Sequence, residues 1–195
     1  MPSRATRTFR SRSTCGARAL KAILVQSFAP VSDRRAEILI LGSMPGHDSL
    51  AAGQYYAHPR NLFWKIMAAM LGFEPQAPYR DRLKALRDSR IALWDVIHSC
   101  RREGSLDADI QAGSIKPNNF PLFFSTHPNI RRVFFNGGKA KATYDSYVRS
   151  SFERVDFQYT RLPSTSPAHA AISYDKKLAA WRAALNLEEV PHVRS

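Results

Sequence analysis

Four short apolar runs alternate along the chain with stretches of helical periodicity, and each run leaves into a turn of glycine, proline or small polar residues. The first, AEILILGS, is continuously apolar until Gly42 and Ser43 close it, the pattern of a strand buried on both faces. RIALWDVI is a second strand candidate, IRRVFFNGG a third with Val133, Phe134 and Phe135 at its centre, and FQYTRLPS a fourth. Leu62, Phe63, Ile66, Met67, Met70 and Leu71 recur at helical spacing until Gly72 stops them; KAKATYDSYVRSSF fits a second helix. From Ser166 a last helix is expected to run through Tyr174, Leu178, Trp181 and Leu185. Strands alternating with helices predict an α/β fold: a three-layer α/β/α sandwich around a central, mainly parallel four-stranded sheet. Right-handed crossovers place the carboxyl ends of parallel strands on one edge, where such sheets bind ligands. Gly-Ser-Met-Pro-Gly, Asp-Val-Ile-His-Ser, Asn-Gly-Gly-Lys and Pro-Ser-Thr-Ser-Pro are therefore expected to converge on one cleft.

A chain of 195 residues with 44% hydrophobic content suits one well-cored domain. We expect that domain over residues 34–190, preceded by a basic, partly disordered arm over residues 1–33. The arm begins MPSRATRTFRSRSTCGAR, rich in arginine and free of acids, and would add nonspecific phosphate affinity. The formal charge of +13 makes a polyanion, nucleic acid above all, the leading partner. No apolar run is long enough for a membrane span, so a soluble, cytoplasmic protein and a monomer are expected. Cys15 and Cys100 are too few for a disulfide framework or a four-cysteine zinc site, and the histidines show no HxxxH or HExxH spacing, so no metal is implied.

The connection LGSMPGHDSLAAGQYYAHPRNLFW is long for a compact domain, and long connections are more often functional than idle. Pro45 and Gly46 shape a turn that brings the Gly42, Ser43 and Met44 backbone close to a ligand. It has neither Walker nor GxGxxG spacing, which argues against a nucleotide-phosphate loop. Asp95, Asp107 and Asp109 are carboxylates able to activate water; equally, Asp95 can mark a strand end, and GSLDADI reads as a helix start whose acids favour the macrodipole.

The segment GSMPGHDSLAAGQYYAHPRNLFWKI resembles the first active-site motif of the mismatch-specific branch of the uracil-DNA glycosylase superfamily, a Gly-x-Asn-Pro-Gly turn, an aromatic, then His-Pro-x-Asn-x-Phe-Trp. LPSTSPAHA resembles the superfamily's late serine/proline motif, which enters the DNA minor groove. Met44 departs from the pattern, because it stands where that branch has the water-positioning asparagine, and a thioether cannot orient water. The hypoxanthine-DNA glycosylase branch also lacks that asparagine and carries Gly-Ser-x-Pro, Tyr-Tyr-x-His-Pro-x-Asn, Phe-Asn-Gly and Ser-Thr-Ser-Pro, as this chain does.

The resemblance implies catalytic roles for Asn136 and Asn61, base binding by Tyr56, Gly42, Ser43, Met44, Pro45 and Tyr55, and DNA contacts from Ser164, Thr165, Ser166, Pro167, Ala168, His169, His58, Arg60 and Lys139. Tyr56 would stack under the flipped base. A plain helix N-cap followed by proline explains Ser166-Pro167 equally well, and His58 suits holding the loop. The implied activity is monofunctional, metal- and cofactor-independent removal of hypoxanthine from duplex DNA that carries a deaminated or mispaired base. The alternatives are uracil or mismatched thymine as substrate, or an inactive damage-binding module.

Overall fold

The computed structural model describes residues 22–104, 107–150, 152 and 156–187. In chain order the elements are β1 (Ile23–Gln26), β2 (Ile38–Gly42), α1 (His47–Ala52), α2 (Phe63–Leu71), α3 (Tyr79–Asp88), β3 (Ile91–Asp95), β4 (Ile97–Arg102), β5 (Lys116–Pro117), α4 (Phe120–Thr126), β6 (Arg132–Asn136), α5 (Gly138–Tyr147), β7 (Gln158–Leu162) and α6 (Tyr174–Leu185). Single 3-10 turns lie at Asp107–Asp109, Ala112–Ser114 and Pro167–His169.

The central sheet has the order β3-β2-β6-β7, with every neighbouring pair parallel. Side chains alternate across a strand, so β2 divides its apolar residues between two cores. Leu39 and Leu41 pack with Phe120, Phe124, Ala140 and Tyr144 from α4 and α5. Ile38 and Ile40 pack with Phe63, Ile66, Leu86, Trp181 and Leu185 from α2, α3 and α6. Each face is thus covered by helices, the expected three-layer sandwich. From β2 the chain passes to β3 on one side and later to β6 on the other, which leaves a crevice at the carboxyl ends of β2 and β6.

RIALWDVI is two strands rather than one. β3 ends at Asp95, and β4 enters a second, antiparallel sheet of order β1-β4-β5. The hinge is pinned to the first turn: Val96 N–H donates to the Gly42 carbonyl at 2.9 Å and Ile97 N–H to the Ser43 carbonyl at 3.0 Å. β1 also corrects the expected arm. Residues 23–26 pair in register with Ser99 to Arg102, and Val31 bridges Leu93, so ordered structure begins well before residue 34. The arginine-rich start lies outside the described residues.

The last helix begins later than its periodicity suggests. Ser166-Pro167 opens only a 3-10 turn, and α6 starts after Ser173, whose hydroxyl accepts from Lys176 N–H. In α4, FPLFFST hides its helical character behind a proline. Pro121 stands in the first turn, where no intrahelical N–H is needed, and the Asn119 side chain accepts from Leu122 N–H.

Candidate active site

Gly42 is the last residue of β2, and nothing larger fits there. A Cβ on it would lie 2.3 Å from Asp95 Oδ1 and 2.9 Å from the Tyr56 hydroxyl. Two polar side chains, one from the end of β3 and one from the long connection, therefore close over the same backbone atom. Next to it, the Ser43 hydroxyl donates to Asp107 Oδ1 at 2.7 Å. Asp107 sits in a 3-10 turn and faces the first turn of the cleft, rather than opening the helix that GSLDADI suggested.

Tyr56 adopts a left-handed backbone conformation, φ 54°, uncommon for a large side chain. Its ring stacks on Phe63 with centroids 4.2 Å apart and planes at 25°, yet the residue stays partly exposed. The ring is thus supported on Phe63 with part of the residue left accessible. Its hydroxyl is buried beside Asn136 without an aligned hydrogen bond among the described residues.

Asn136, at the end of β6, is held at both ends of its amide. Nδ2 donates to Thr165 Oγ1 at 2.8 Å, and Oδ1 accepts from Thr165 N–H at 2.9 Å. A carboxamide has two N–H groups and two carbonyl lone pairs, so this clamp fixes the orientation while leaving one of each for a ligand. The following residue, Gly137, has φ +101°, and its Cβ would meet Ser164 Cβ at 2.8 Å. β6 and the loop after β7 approach that closely only because side chain is missing there.

Three expected roles are corrected. Met44 is buried among Ile97, Cys100 and Ile110 beneath the small sheet, so its thioether is core rather than pocket wall. Tyr55 is buried, its hydroxyl donating to the Ala29 carbonyl at 3.2 Å and its ring edge-on to Phe28; it braces the connection and presents nothing to a base. Thr165 is fully buried and occupied by Asn136, which removes it from the DNA-contacting set and makes it the clamp.

Asn61 is half-buried, and its Oδ1 accepts from Phe63 N–H at 3.0 Å, setting the entry to α2. Leu62 N–H donates to the Thr165 carbonyl at 3.0 Å, which ties that entry to the late motif. His58 Nδ1 accepts from Arg60 N–H at 3.0 Å, the loop-holding role, while the Arg60 side chain is exposed. Ser164 Oγ accepts from Ser166 N–H and Ser166 Oγ from Ala168 N–H, so both hydroxyls shape the late loop. Ala168, His169 and Lys139 are exposed, and Pro45 and Pro167 flank their turns. Because α6 starts only at Tyr174, the Ser166 region has no long helix dipole to offer a phosphate. Lys177 was not singled out by any sequence pattern: it is buried, and its Nζ donates to the His169 carbonyl at 2.8 Å, bracing the loop from below.

Electrostatically the floor of the cleft is unusual. Burial, with the nearby Asp107 charge second, pushes the Asp95 carboxyl up to about 8. Asp95 Oδ2 and the Tyr56 hydroxyl are both buried without a hydrogen-bond partner among the described residues. Burial and then the Asp95 charge raise the Tyr56 phenol, opposed by the adjacent Asn136 amide.

A family model of the uracil DNA glycosylase superfamily matches residues 29–187, which takes in every element from β2 to α6 and the whole of this cleft. The chain belongs to the uracil-DNA glycosylase superfamily. A hypoxanthine DNA glycosylase of Methanosarcina barkeri is 41% identical over 126 residues, covering 64% of this chain and 78% of that one. The hypoxanthine DNA glycosylase of Methanosarcina acetivorans is 35% identical over 162 residues, 83% of this chain and 98% of that one. A solution NMR structure of a Methanosarcina acetivorans protein described as a uracil DNA glycosylase superposes with a TM-score of 0.71 at 34% identity, over 86% of this chain and all of that one.

For a member of this superfamily, the crowding at Gly42 makes a prediction. Gly42→Ala is expected to drive Asp95 and Tyr56 apart and lower single-turnover base release at least tenfold, while the chain still folds because its φ needs no glycine. Gel-resolved strand cleavage after alkali, beside circular dichroism of the variant, checks both parts.

Proposed function

We propose that this protein is a monofunctional DNA glycosylase that removes hypoxanthine from deoxyinosine flipped out of duplex DNA and leaves an abasic site. The observation that carries the reading is Asn136, clamped by Thr165 beside the Tyr56 platform at the crevice between β2 and β6. Its two similar relatives named hypoxanthine DNA glycosylase support the choice of base.

In this reading duplex DNA binds to the basic surface as a monomer's substrate, and flipping the nucleotide costs a few kcal/mol, least for a mispaired base. Stacking on Tyr56 returns about 1–3 kcal/mol. The bond from C1′ to the base nitrogen then breaks, its electron pair leaves with the base, and water adds to C1′ and loses a proton to solvent while the departing base takes one up. Negative charge therefore grows on the base, and the unspent Asn136 N–H is already aimed to meet it, without the reorganisation that water would need. The Asn61 amide nitrogen, its carbonyl being held by Phe63 N–H, is the second donor at the mouth of the site. Met44 takes no part. Ser164, Ser166, Pro167, Ala168 and His169 form the loop that lies against the minor groove, with Arg60 and Lys139 as phosphate contacts. The work is that of a DNA repair enzyme of the cytosol or nucleoid, starting base excision.

The test is a panel of duplexes carrying one inosine, xanthine, uracil or mismatched thymine, incubated with the full chain and then with alkali. Cleavage of the inosine strand before the others supports the reading. Preferential cleavage at uracil or thymine moves the substrate to those bases. Binding to inosine DNA with no free base released would make the protein a damage-binding module.

A further inference from the structure

The reaction outlined above leaves the attacking water with no side chain to hold it. Met44, the residue next in line on the first turn, is buried with Ile97, Cys100 and Ile110. That burial fastens the turn to the segment that carries Asp107. The segment is fixed to the far end of β4, where Ile110 bridges Arg102 and Gln111 N–H donates to the Arg101 carbonyl at 2.9 Å. The first turn is fixed to the near end, through Ile97 N–H and the Ser43 carbonyl at 3.0 Å. Between these two anchors the Ser43 hydroxyl donates to Asp107 Oδ1 at 2.7 Å, across 64 positions of chain. The small antiparallel sheet therefore holds a carboxylate against the first turn, at the carboxyl end of β2.

Stability alone does not account for an acid in this place. Its 3-10 turn is three residues long, too short for a dipole that the charge could complement. Among the described residues its side chain has Ser43 as partner and no cation. A carboxylate that faces DNA opposes binding, which runs against the net charge of +13 on the rest of the chain. Asp107 is also half-buried and so open to the cleft, whereas Asp95 is 3% exposed. Its charge reaches across the site: burial comes first in raising the Asp95 carboxyl, the Tyr56 phenol and the Cys100 thiol, and the Asp107 charge adds to each.

Resting on the glycosylase reading, we propose that Asp107, oriented by Ser43, holds the water that attacks C1′ and takes its proton. An ionised carboxylate offers about four acceptor sites. The Ser43 hydroxyl fills one on Oδ1, and Oδ2 receives no hydrogen bond among the described residues. A lone pair of the water oxygen forms the new bond to C1′ once the old bonding pair has left with the base. The water proton passes to Asp107 and from there to solvent, and the base takes its proton from solvent. Before that transfer the negative charge lies beside a sugar that is turning positive, so it favours the transition state over the neutral ground state. Ser43 is a positioning residue, and Met44 contributes only the packing that keeps the two segments together.

The experiment is single-turnover release of hypoxanthine from an inosine duplex by wild type, Asp107→Asn, Asp107→Ala and Ser43→Ala, with gel-shift affinities for the same duplex. Asp107→Asn is isosteric and keeps an oxygen for Ser43, so it should fold as wild type does by circular dichroism. It should nevertheless release base about a hundredfold or more slowly, the loss expected of a missing general base. Its affinity for the duplex should be at least that of wild type, because a negative charge has left the interface. Ser43→Ala should lose about tenfold in rate, through orientation alone. The decisive readout is chemical rescue. Sodium formate, compared with sodium chloride at the same concentration, should accelerate Asp107→Ala at least about tenfold, since its carboxylate can enter the space left by the side chain and act as the base. It should leave Asn136→Ala and Ser43→Ala as slow as before. A loss below about tenfold in Asp107→Asn, or an Asp107→Ala variant that formate does not accelerate, overturns the proposal and leaves hypoxanthine removal standing. If wild type itself releases no base from the inosine duplex, the glycosylase reading falls and this assignment with it.

Discussion

Asn136→Ala is expected to lower single-turnover base release about a hundredfold or more, the roughly 3 kcal/mol that one preorganised donor to a developing anion contributes. The size follows from the clamp. An amide free to rotate would have to be ordered in the transition state, whereas the Asn136 carboxamide is already oriented through its bonds to Thr165 Oγ1 and Thr165 N–H. Binding of the inosine duplex should weaken far less than turnover, because the residues proposed to face phosphate are Arg60, Lys139 and the late loop, not Asn136. Thr165→Val separates orientation from donation. It removes the oxygen that receives Nδ2 but keeps the backbone bond, so it should slow release by an intermediate factor, about tenfold, with Asn136 still present. Rapid-quench kinetics on inosine DNA, with gel-shift affinities for the same duplex, measure both quantities. A rate for Asn136→Ala within threefold of wild type, with binding unchanged, would remove Asn136 from the chemistry.

The legible part of this protein was what depends on local pattern. Continuous apolar runs ending at Gly42 and Asp95, and the Val133 to Phe135 centre of β6, mark the strands buried on both faces, because such a strand has no polar residue to spare until it leaves the sheet, whereas the edge strand β7 mixes polar and apolar residues. The same logic places the first turn, Asn136 and the late Ser-Thr-Ser-Pro segment on one edge. What stayed hidden depends on contacts between distant residues. Nothing local distinguishes Thr165 from its serine neighbours, yet it alone is gripped by Asn136, 29 positions away. Tyr55 and Tyr56 are adjacent and chemically identical. The left-handed turn at Tyr56 sends one ring to the cleft and the other to the core, and that backbone choice is set by the packing of Phe28, Phe63 and Tyr79 around them. Met44 shows the same limit from the other side: the motif puts it beside the base, and the small antiparallel sheet, unforeseen because β1 and β5 are so short, gives it an apolar home instead.

Trp181→Ala should destabilise the fold by about 3–5 kcal/mol, a large share of the roughly 5–15 kcal/mol by which a domain of this kind is stable. Trp181 is completely buried in the core beneath α2 and α6, so the substitution leaves a cavity among rigid aromatic neighbours that cannot close on it. Its ring meets Phe63 edge-on at 6.0 Å, and Phe63 in turn is the surface on which Tyr56 stacks. Its indole N–H donates to the Pro163 carbonyl at 2.9 Å, two residues before the threonine that orients Asn136. One core side chain thus supports both the stacking platform and the clamp. Trp181→Phe distinguishes these functions, for it keeps most of the packing and loses the indole donor, leaving the Pro163 carbonyl without its partner at a cost of about 1–3 kcal/mol. That variant should remain folded at 25 °C by circular dichroism and urea titration, yet release base several-fold more slowly than wild type. If Trp181→Phe loses stability but keeps its full rate, the loop at Pro163 is held by Lys177 and Gly137 without help from the core, and the coupling between the helix layer and the chemistry runs through Phe63 alone.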